Sequence, residues 1–272
     1  MIEDVNAHSC KMRRRCDRFL DWLLPTRCLV CGQADNALCG GCAQYLRSPD
    51  PACGGCAMPL AAALTPAGRC GQCLCAPLPF DRAYSALIYQ WPVDQLICRF
   101  KFQQAFACGR VLATIMANAA SHWQHPEVLI PVPLHRQRLR QRGYDQTLLL
   151  ARSVASRCHL PCRSLLVRHQ FTTPQSQLSG QARHANVSQA FCLRHIGKTR
   201  YRHVALIDDV MTTGATLAAA ALCLRPLGIE RIDAWVCART LDSTAAMTGF
   251  KGDSMVPVQS QEIRRHPPID GG

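Results

Sequence analysis

A chain of 272 residues with 48% hydrophobic side chains is long enough for one or two domains with a real core. Its 31 Lys and Arg against 18 Asp and Glu leave a net charge of +13, a balance that favours polyanions such as nucleic acid or phosphorylated metabolites. No apolar run reaches the length of a transmembrane helix, and Phe19 to Leu24 is too short and too interrupted by Asp21 for a signal-peptide core. No membrane insertion and a cytoplasmic location are therefore expected.

Residues 1–18, with Arg13, Arg14 and Arg15, carry no periodicity and read as a disordered basic leader. Phe19, Leu20, Trp22, Leu23 and Leu24 make a short amphipathic turn stopped by Pro25. Eighteen cysteines in a cytoplasmic chain are read first as metal ligands. Eight of them fall in four regular pairs: Cys28 and Cys31, Cys39 and Cys42, Cys53 and Cys56, Cys70 and Cys73. A Cys-x-x-Cys pair offers two thiolates from one tight knuckle, and two knuckles complete a tetrahedral Zn²⁺ site. Four pairs predict two structural Zn²⁺ sites in a small double ribbon at residues 19–79. Sequential use of the pairs and a cross-braced arrangement remain alternatives. Such ribbons bind nucleic acid, bind protein, or replace a hydrophobic core that so short a segment lacks.

From about residue 80 the pairs stop and helix and strand patterns begin, which places a second domain at residues 80–241. Tyr84 to Tyr89 alternates as a strand, and Leu96 to Phe102 and Val111 to Ala120 carry helical spacing. Lys101, between two phenylalanines, is either a snorkelling side chain or a phosphate contact. Val128 to Leu134 is a buried strand running into a proline-stiffened loop. The stretch from His135 to Gln146 holds four arginines within seven residues. It is either a solvated helix face or a clamp for diphosphate or nucleic-acid phosphate. A helix is expected from about Gln146 to Arg157, a short strand at Leu165 to Val167, and a long polar lid at His169 to Gln189 containing Arg183 and Asn186. The last strand falls at Arg231 to Ala238, and residues 242–272 read as a disordered tail.

The most informative stretch is Val204 to Thr216. Four apolar residues predict a strand buried on both faces, ended by Asp208 and Asp209. Thr212, Thr213, Gly214, Ala215 and Thr216 then open an Ala/Leu-rich helix to Leu224. A helix N-terminus with free N–H groups, hydroxyl donors and a glycine is a phosphate cradle. The two carboxylates suit sugar hydroxyls or a Mg²⁺ ion, so a ribose 5-phosphate has all the matching parts. The order strand, two acids, two residues, Thr-Thr-Gly-x-Thr and helix resembles the phosphoribosyl diphosphate (PRPP) motif of type I phosphoribosyltransferases.

With the ribbon in front, Lys101-Phe102, Pro131-Val132-Pro133-Leu134, Arg142-Gly143-Tyr144-Asp145-Gln146, Gln175, Arg183 and Asn186-Val187, residues 19 to 241 are similar to the ComF family. That family joins a ribbon to a phosphoribosyltransferase domain and is linked to natural competence and to use of external DNA. The resemblance implies an α/β fold, a mostly parallel open sheet with helices on both faces, behind the double zinc ribbon. It further implies PRPP with Mg²⁺ at Asp208, Asp209 and Thr212 to Thr216, with Asp208 and Asp209 as the catalytic acids. Lys101, Arg142 and Arg183 would stabilise the departing diphosphate or clamp DNA phosphates. The family usually has Arg-Gly-Phe-Asn-Gln where this chain has Tyr144 and Asp145, and the added carboxylate bears on the phosphate contacts of the clamp.

Two functions fit these residues. One is phosphoribosyl transfer from PRPP to a nitrogen acceptor during uptake or utilisation of external DNA. The other is a non-catalytic adaptor that binds single-stranded DNA and senses PRPP, a reading that the 6% aromatic content and the absence of a base-binding hood leave open. DNA-uptake machinery proteins are candidate partners in either. Neither a Walker A string nor a Gly-x-Gly-x-x-Gly turn is present, which argues against other nucleotide folds.

Overall fold

The computed structural model of the chain describes residues 27–61, 68–169, 190–194 and 201–241. The basic leader, the Phe19 to Leu24 turn, Gln175, Arg183, Asn186 and the rest of the expected lid after His169, and the tail all lie outside the described residues.

The ribbon is one pattern used twice. In the first half the chain turns back at an Arg27–Ala34 bridge, and a short helix α1 (Gly40–Ala43) follows directly on Cys39. In the second an Ala52–Pro59 bridge precedes helix α2 (Gly71–Cys75), which follows directly on Cys70. Each knuckle presents one cysteine pair and each short helix the other.

Four strands, β1 (Arg82–Ile88), β2 (Val128–Pro131), β5 (His203–Met211) and β6 (Arg231–Arg239), form a sheet of order β1-β6-β5-β2, parallel throughout. The two longest apolar runs, in β5 and β6, take the centre because only central strands of a covered parallel sheet are buried on both faces. Pro131 cannot donate to a ladder, and β2 is an edge strand. Helices α3 (Val93–Phe102), α4 (Phe106–Ala120) and α6 (Gln146–Cys158) cover the face that carries Leu129, Ala205, Ile207 and Trp235. Helix α7 (Ala215–Leu224) covers the other, with Val128, Val204, Leu206 and Val236. The expected α/β architecture behind a Cys-rich double ribbon is thus the observed one.

Three features refine the sequence expectation. The strand expected to stop at Asp208 and Asp209 continues to Met211, because β6 offers partners as far as Arg239. The basic run of Arg136 to Arg142 is itself a helix, α5, capped by His135 and closed by left-handed Gly143 (φ 81°). The strand near Leu165, β3 (Leu166–Arg168), pairs antiparallel with an unforeseen strand β4 (Phe191–Leu193) and stays outside the main sheet. The ribbon also does more than precede the sheet. Cys53, Cys56, Ala57, Leu60 and Cys73 share one buried cluster with Phe80, Ala83, Val204 and Val236. The first half has its own small cluster of Cys28, Cys39 and Cys42.

Candidate functional site

The thiols of Cys28, Cys31, Cys39 and Cys42 lie within 4.8 Å of one another, and so do those of Cys53, Cys56, Cys70 and Cys73. The pairing is therefore sequential and not cross-braced. Zn–S bonds of about 2.3 Å in a tetrahedron put sulfurs about 3.8 Å apart. The contacts Cys31 Sγ to Cys39 Sγ, 3.6 Å, and Cys56 Sγ to Cys70 Sγ, 3.7 Å, fit that edge. Burial raises the Cys28 thiol, but backbone donors from Cys39, Cys31 and Val30 outweigh it and bring it to about 6. Burial and neighbouring thiols push Cys42 up to about 12. Four crowded sulfurs cannot all ionise without a cation, and a tetrahedral divalent ion is what the donor set fits. Both clusters are consistent with a structural Zn²⁺.

Strand β5 carries the acid pair to the rim of the sheet. Consecutive strand residues point to opposite faces, so Asp209 joins Ala205 and Ile207 on the side of α3 and α6, and Asp208 turns to the other side. Asp209 is 5% exposed. Its Oδ1 lies 2.7 Å from Lys101 Nζ, and its Oδ2 accepts a 3.0 Å hydrogen bond from Gln146 Nε2. The carbonyl oxygen of that same Gln146 amide accepts from Arg142, whose guanidinium carbon sits 5.0 Å over the Phe102 ring. Lys101, Asp209, Gln146 and Arg142 are thus one connected chain of charge-assisted contacts. Gln146, from the first turn of α6, had no assigned role in the sequence reading. A polar residue 4% exposed at a helix start is the signal that burial supplies and sequence does not.

Asp208 is half-buried, and its Oδ1 accepts the Asp209 backbone N–H at 2.9 Å. Burial first, then repulsion from Asp209, push its carboxyl up to about 7. Lys101, the backbone donor and Arg168 pull the other way. A carboxyl poised near neutrality accepts hydrogen bonds from sugar hydroxyls or ionises against a cation.

Beyond Met211 the chain turns sharply into α7. Gly214 has φ 80°, and a Cβ there would lie 2.9 Å from Met211 Cε and 3.2 Å from Leu78 Cδ1, so any side chain would strain the left-handed backbone and push these side-chain ends aside. Thr212, Thr213 and Ala215 are exposed, and Thr213 Oγ1 accepts from the Ala215 N–H at 3.3 Å. Across the rim, Val132 N–H donates to Ile207 O at 3.0 Å, which sets the loop after β2 beside the end of β5 as strand order requires. Asp145 is turned away from the arginines. Its carboxylate caps α6 by accepting from Leu148 N–H at 3.0 Å and takes Leu134 N–H at 3.3 Å. Burial raises its pKa while those donors lower it.

A family model described as Double zinc ribbon domain matches residues 19–74. Competence protein F of Haemophilus influenzae is 37% identical over 226 residues, covering 78% of this chain and 96% of that protein. DNA utilization protein YhgH of Escherichia coli strain K12 is 32% identical over 177 residues, 62% of this chain and 77% of that one. Competence protein ComFC of Bacillus subtilis is 28% identical over 149 residues, 53% and 58% respectively. Among solved structures, an adenine phosphoribosyl transferase from Trypanosoma brucei overlaps with a TM-score of 0.32 at 12% identity, covering 59% of this chain and 78% of that one. An allosteric regulatory enzyme of purine biosynthesis gives 0.33 at 18%, covering 47% and 25%.

Proposed function

Because the chain belongs to the ComF family of competence and DNA-utilisation proteins, we propose that it binds PRPP with Mg²⁺ at the end of β5 and acts on DNA-derived nucleotides or bases. The observation that carries this reading is the Lys101–Asp209–Gln146–Arg142 chain beside the glycine-turned start of α7. It joins an acid that suits ribose hydroxyls to cations that suit diphosphate. The N–H groups and hydroxyls of Thr212 to Thr216 hold the 5-phosphate, and Asp208 and Asp209 accept from the ribose. Mg²⁺ would neutralise the diphosphate as it leaves. Arg142 and Lys101 stabilise the same leaving charge, and no covalent nucleophile is needed, since the transition state is cationic at ribose and anionic at diphosphate.

Titration of PRPP·Mg²⁺ into the zinc-loaded chain tests the binding. Saturable heat that Thr213→Ala weakens and Asp209→Asn abolishes is expected; no heat with the wild type would sink the proposal. Diphosphate release with a panel of bases then tests turnover. A second reading, an adaptor that binds single-stranded DNA and senses PRPP without turning it over, is favoured by Lys101 already neutralising Asp209 at 2.7 Å. Saturable PRPP binding with no diphosphate release for any acceptor would select it.

A further inference from the structure

An open pocket of about 460 Å³ lies on the outer surface between α4 and α6, lined by Phe100, Phe106, Gly109, Arg110, Tyr144 and Leu149. None of these residues belongs to β5, to the loop that opens α7 or to the Lys101–Asp209–Gln146–Arg142 chain. Phe100 and Tyr144 are near neighbours in sequence of residues in that chain, so the pocket adjoins the proposed PRPP site without sharing a residue with it. Three aromatic rings build it. The Tyr144 ring stands 5.0 Å from Phe106 in an edge-on contact and 6.0 Å from Phe100. Gly109 keeps the floor tight, for a Cβ there would sit 2.5 Å from the Phe100 ring. Phe106 is 44% and Leu149 37% exposed, so these side chains present an apolar surface that the other described residues leave open.

The elements that line this pocket are strongly basic: residues 93–158 hold eight arginines and one lysine against three acids, Asp94, Glu127 and Asp145. Asp94 accepts the Gln95 backbone N–H at 2.7 Å. Glu127 accepts the Arg202 backbone N–H at 2.8 Å, and Asp145 is turned onto backbone N–H groups as the cap of α6. Arg110 lines the pocket, is exposed and makes no ion pair among the described residues. Arg157 reaches the lining residue Ser153, donating to its Oγ at 2.6 Å. A ring-lined pocket edged by guanidinium groups suits a flat, uncharged ring attached to a polyanion. An unpaired base on its phosphodiester strand has that chemistry, whereas a duplex keeps its bases stacked inside.

We propose that this pocket seats an unpaired base of single-stranded DNA by stacking on Phe106 with the Tyr144 ring against its edge, and with Arg110 and Arg157 taking the flanking phosphates. The assignment rests on the reading that the chain handles DNA. It adds where the strand is held and why single strands are preferred.

The test is fluorescence anisotropy of a labelled oligodeoxythymidylate, and of an abasic strand of equal length, with the zinc-loaded full chain. Phe106→Ala is expected to weaken the thymidylate roughly tenfold and to leave the abasic strand unchanged, while Phe106→Trp retains binding. Arg110→Ala weakens both strands and reduces the salt slope by about 0.7. Phe106 is half exposed, so its replacement spares the core; Leu149→Gln provides the same readout should Phe106→Ala lower the melting temperature. If wild type binds the thymidylate and both variants bind it equally well, the pocket assignment is wrong and the DNA reading stands. If wild type binds neither strand, the DNA reading falls and takes the pocket with it. Loss of binding to an acidic aromatic peptide, with no change for DNA, would assign the pocket to a protein partner and overturn the proposal.

Discussion

Arg239 donates from Nε to the carbonyl oxygen of Cys56 at 2.9 Å, which ties the last residue of the sheet to the second zinc knuckle. Its Nη1 also reaches the carbonyl of Met211, 3.2 Å away, at the end of the strand that bears the acid pair. A guanidinium 3% exposed is held by carbonyls of three segments, Thr240 included. Arg239→Met would fill the volume and strand those acceptors, a loss of about 2–3 kcal/mol. A lower melting temperature and faster zinc release to a chelator are expected together. Faster zinc release with unchanged melting would mean that Arg239 serves the knuckle alone.

The carboxyl of Asp208 yields a pH signature. Unfolded, it releases its proton near the ordinary value of 3.8; folded, burial and Asp209 hold the proton up to about 7. Between those values the folded chain binds more protons, so stability is highest at the acid end of this window and falls as pH rises through 7. Asp208→Asn should flatten that fall in a urea-unfolding series run without ligand. A wild-type profile already flat from pH 4 to 7 would show that Asp208 ionises normally.

Gln146 gives the sharpest test of the proposed PRPP site, because its amide spans Asp209 and Arg142. Gln146→Leu keeps the volume of this residue and removes both contacts. Hydrogen bonds to charged groups contribute about 1.5–3 kcal/mol, so PRPP·Mg²⁺ affinity should fall at least about tenfold. The measurement is calorimetric titration beside a melting curve, and an unchanged affinity would reduce Gln146 to a packing residue.

How far the sequence reaches can be seen residue by residue. Cysteine spacing named all eight clustered thiols, since ligand geometry is local to each pair; which pairs join was left open because that depends on the path between them. The four-residue apolar run located β5, but its end at Met211 depends on the length of β6, a nonlocal fact. Asp208, Asp209 and Gly214 were legible because the motif is contiguous. The Lys101–Asp209 contact was not, since it joins residues far apart in the chain through the packing of α3 against the sheet. Arginine spacing alone left α5 undecided between helix and clamp, and the cap at Gly143 resolves it as a helix without ruling on its ligand.

Tyr144 stands where the family usually has Phe, and its buried hydroxyl finds no hydrogen-bond partner among the described residues. Burial also raises its pKa. Tyr144→Phe removes an unsatisfied group while keeping the ring contacts with Phe106, and should raise stability by about 1 kcal/mol. A thermal melt checks the sign. A fall in melting temperature would mean that the hydroxyl has a water partner worth keeping.

The two zinc clusters should fail differently. Cys28, Cys39 and Cys42 form a small cluster with Val30 and Leu38 that meets the main core only at its edge, through Leu29, Val30 and Leu46 among the described residues, whereas Cys53, Cys56 and Cys73 are themselves part of the core under β5 and β6. Structural zinc contributes on the order of 10 kcal/mol in small modules, comparable with the whole stability of an ordinary domain. Cys31→Ser, at an exposed ligand, should drop the zinc content from about two ions to about one and leave the melting of the sheet nearly unchanged. Cys73→Ser should remove the other ion and unfold the sheet with it, because the side chains that held the metal also seal the core. Zinc analysis beside circular dichroism of the two variants separates these outcomes. Equal damage from both would show that the halves fold as one unit, and that the shared core at Cys53 and Cys73 adds nothing to the coupling.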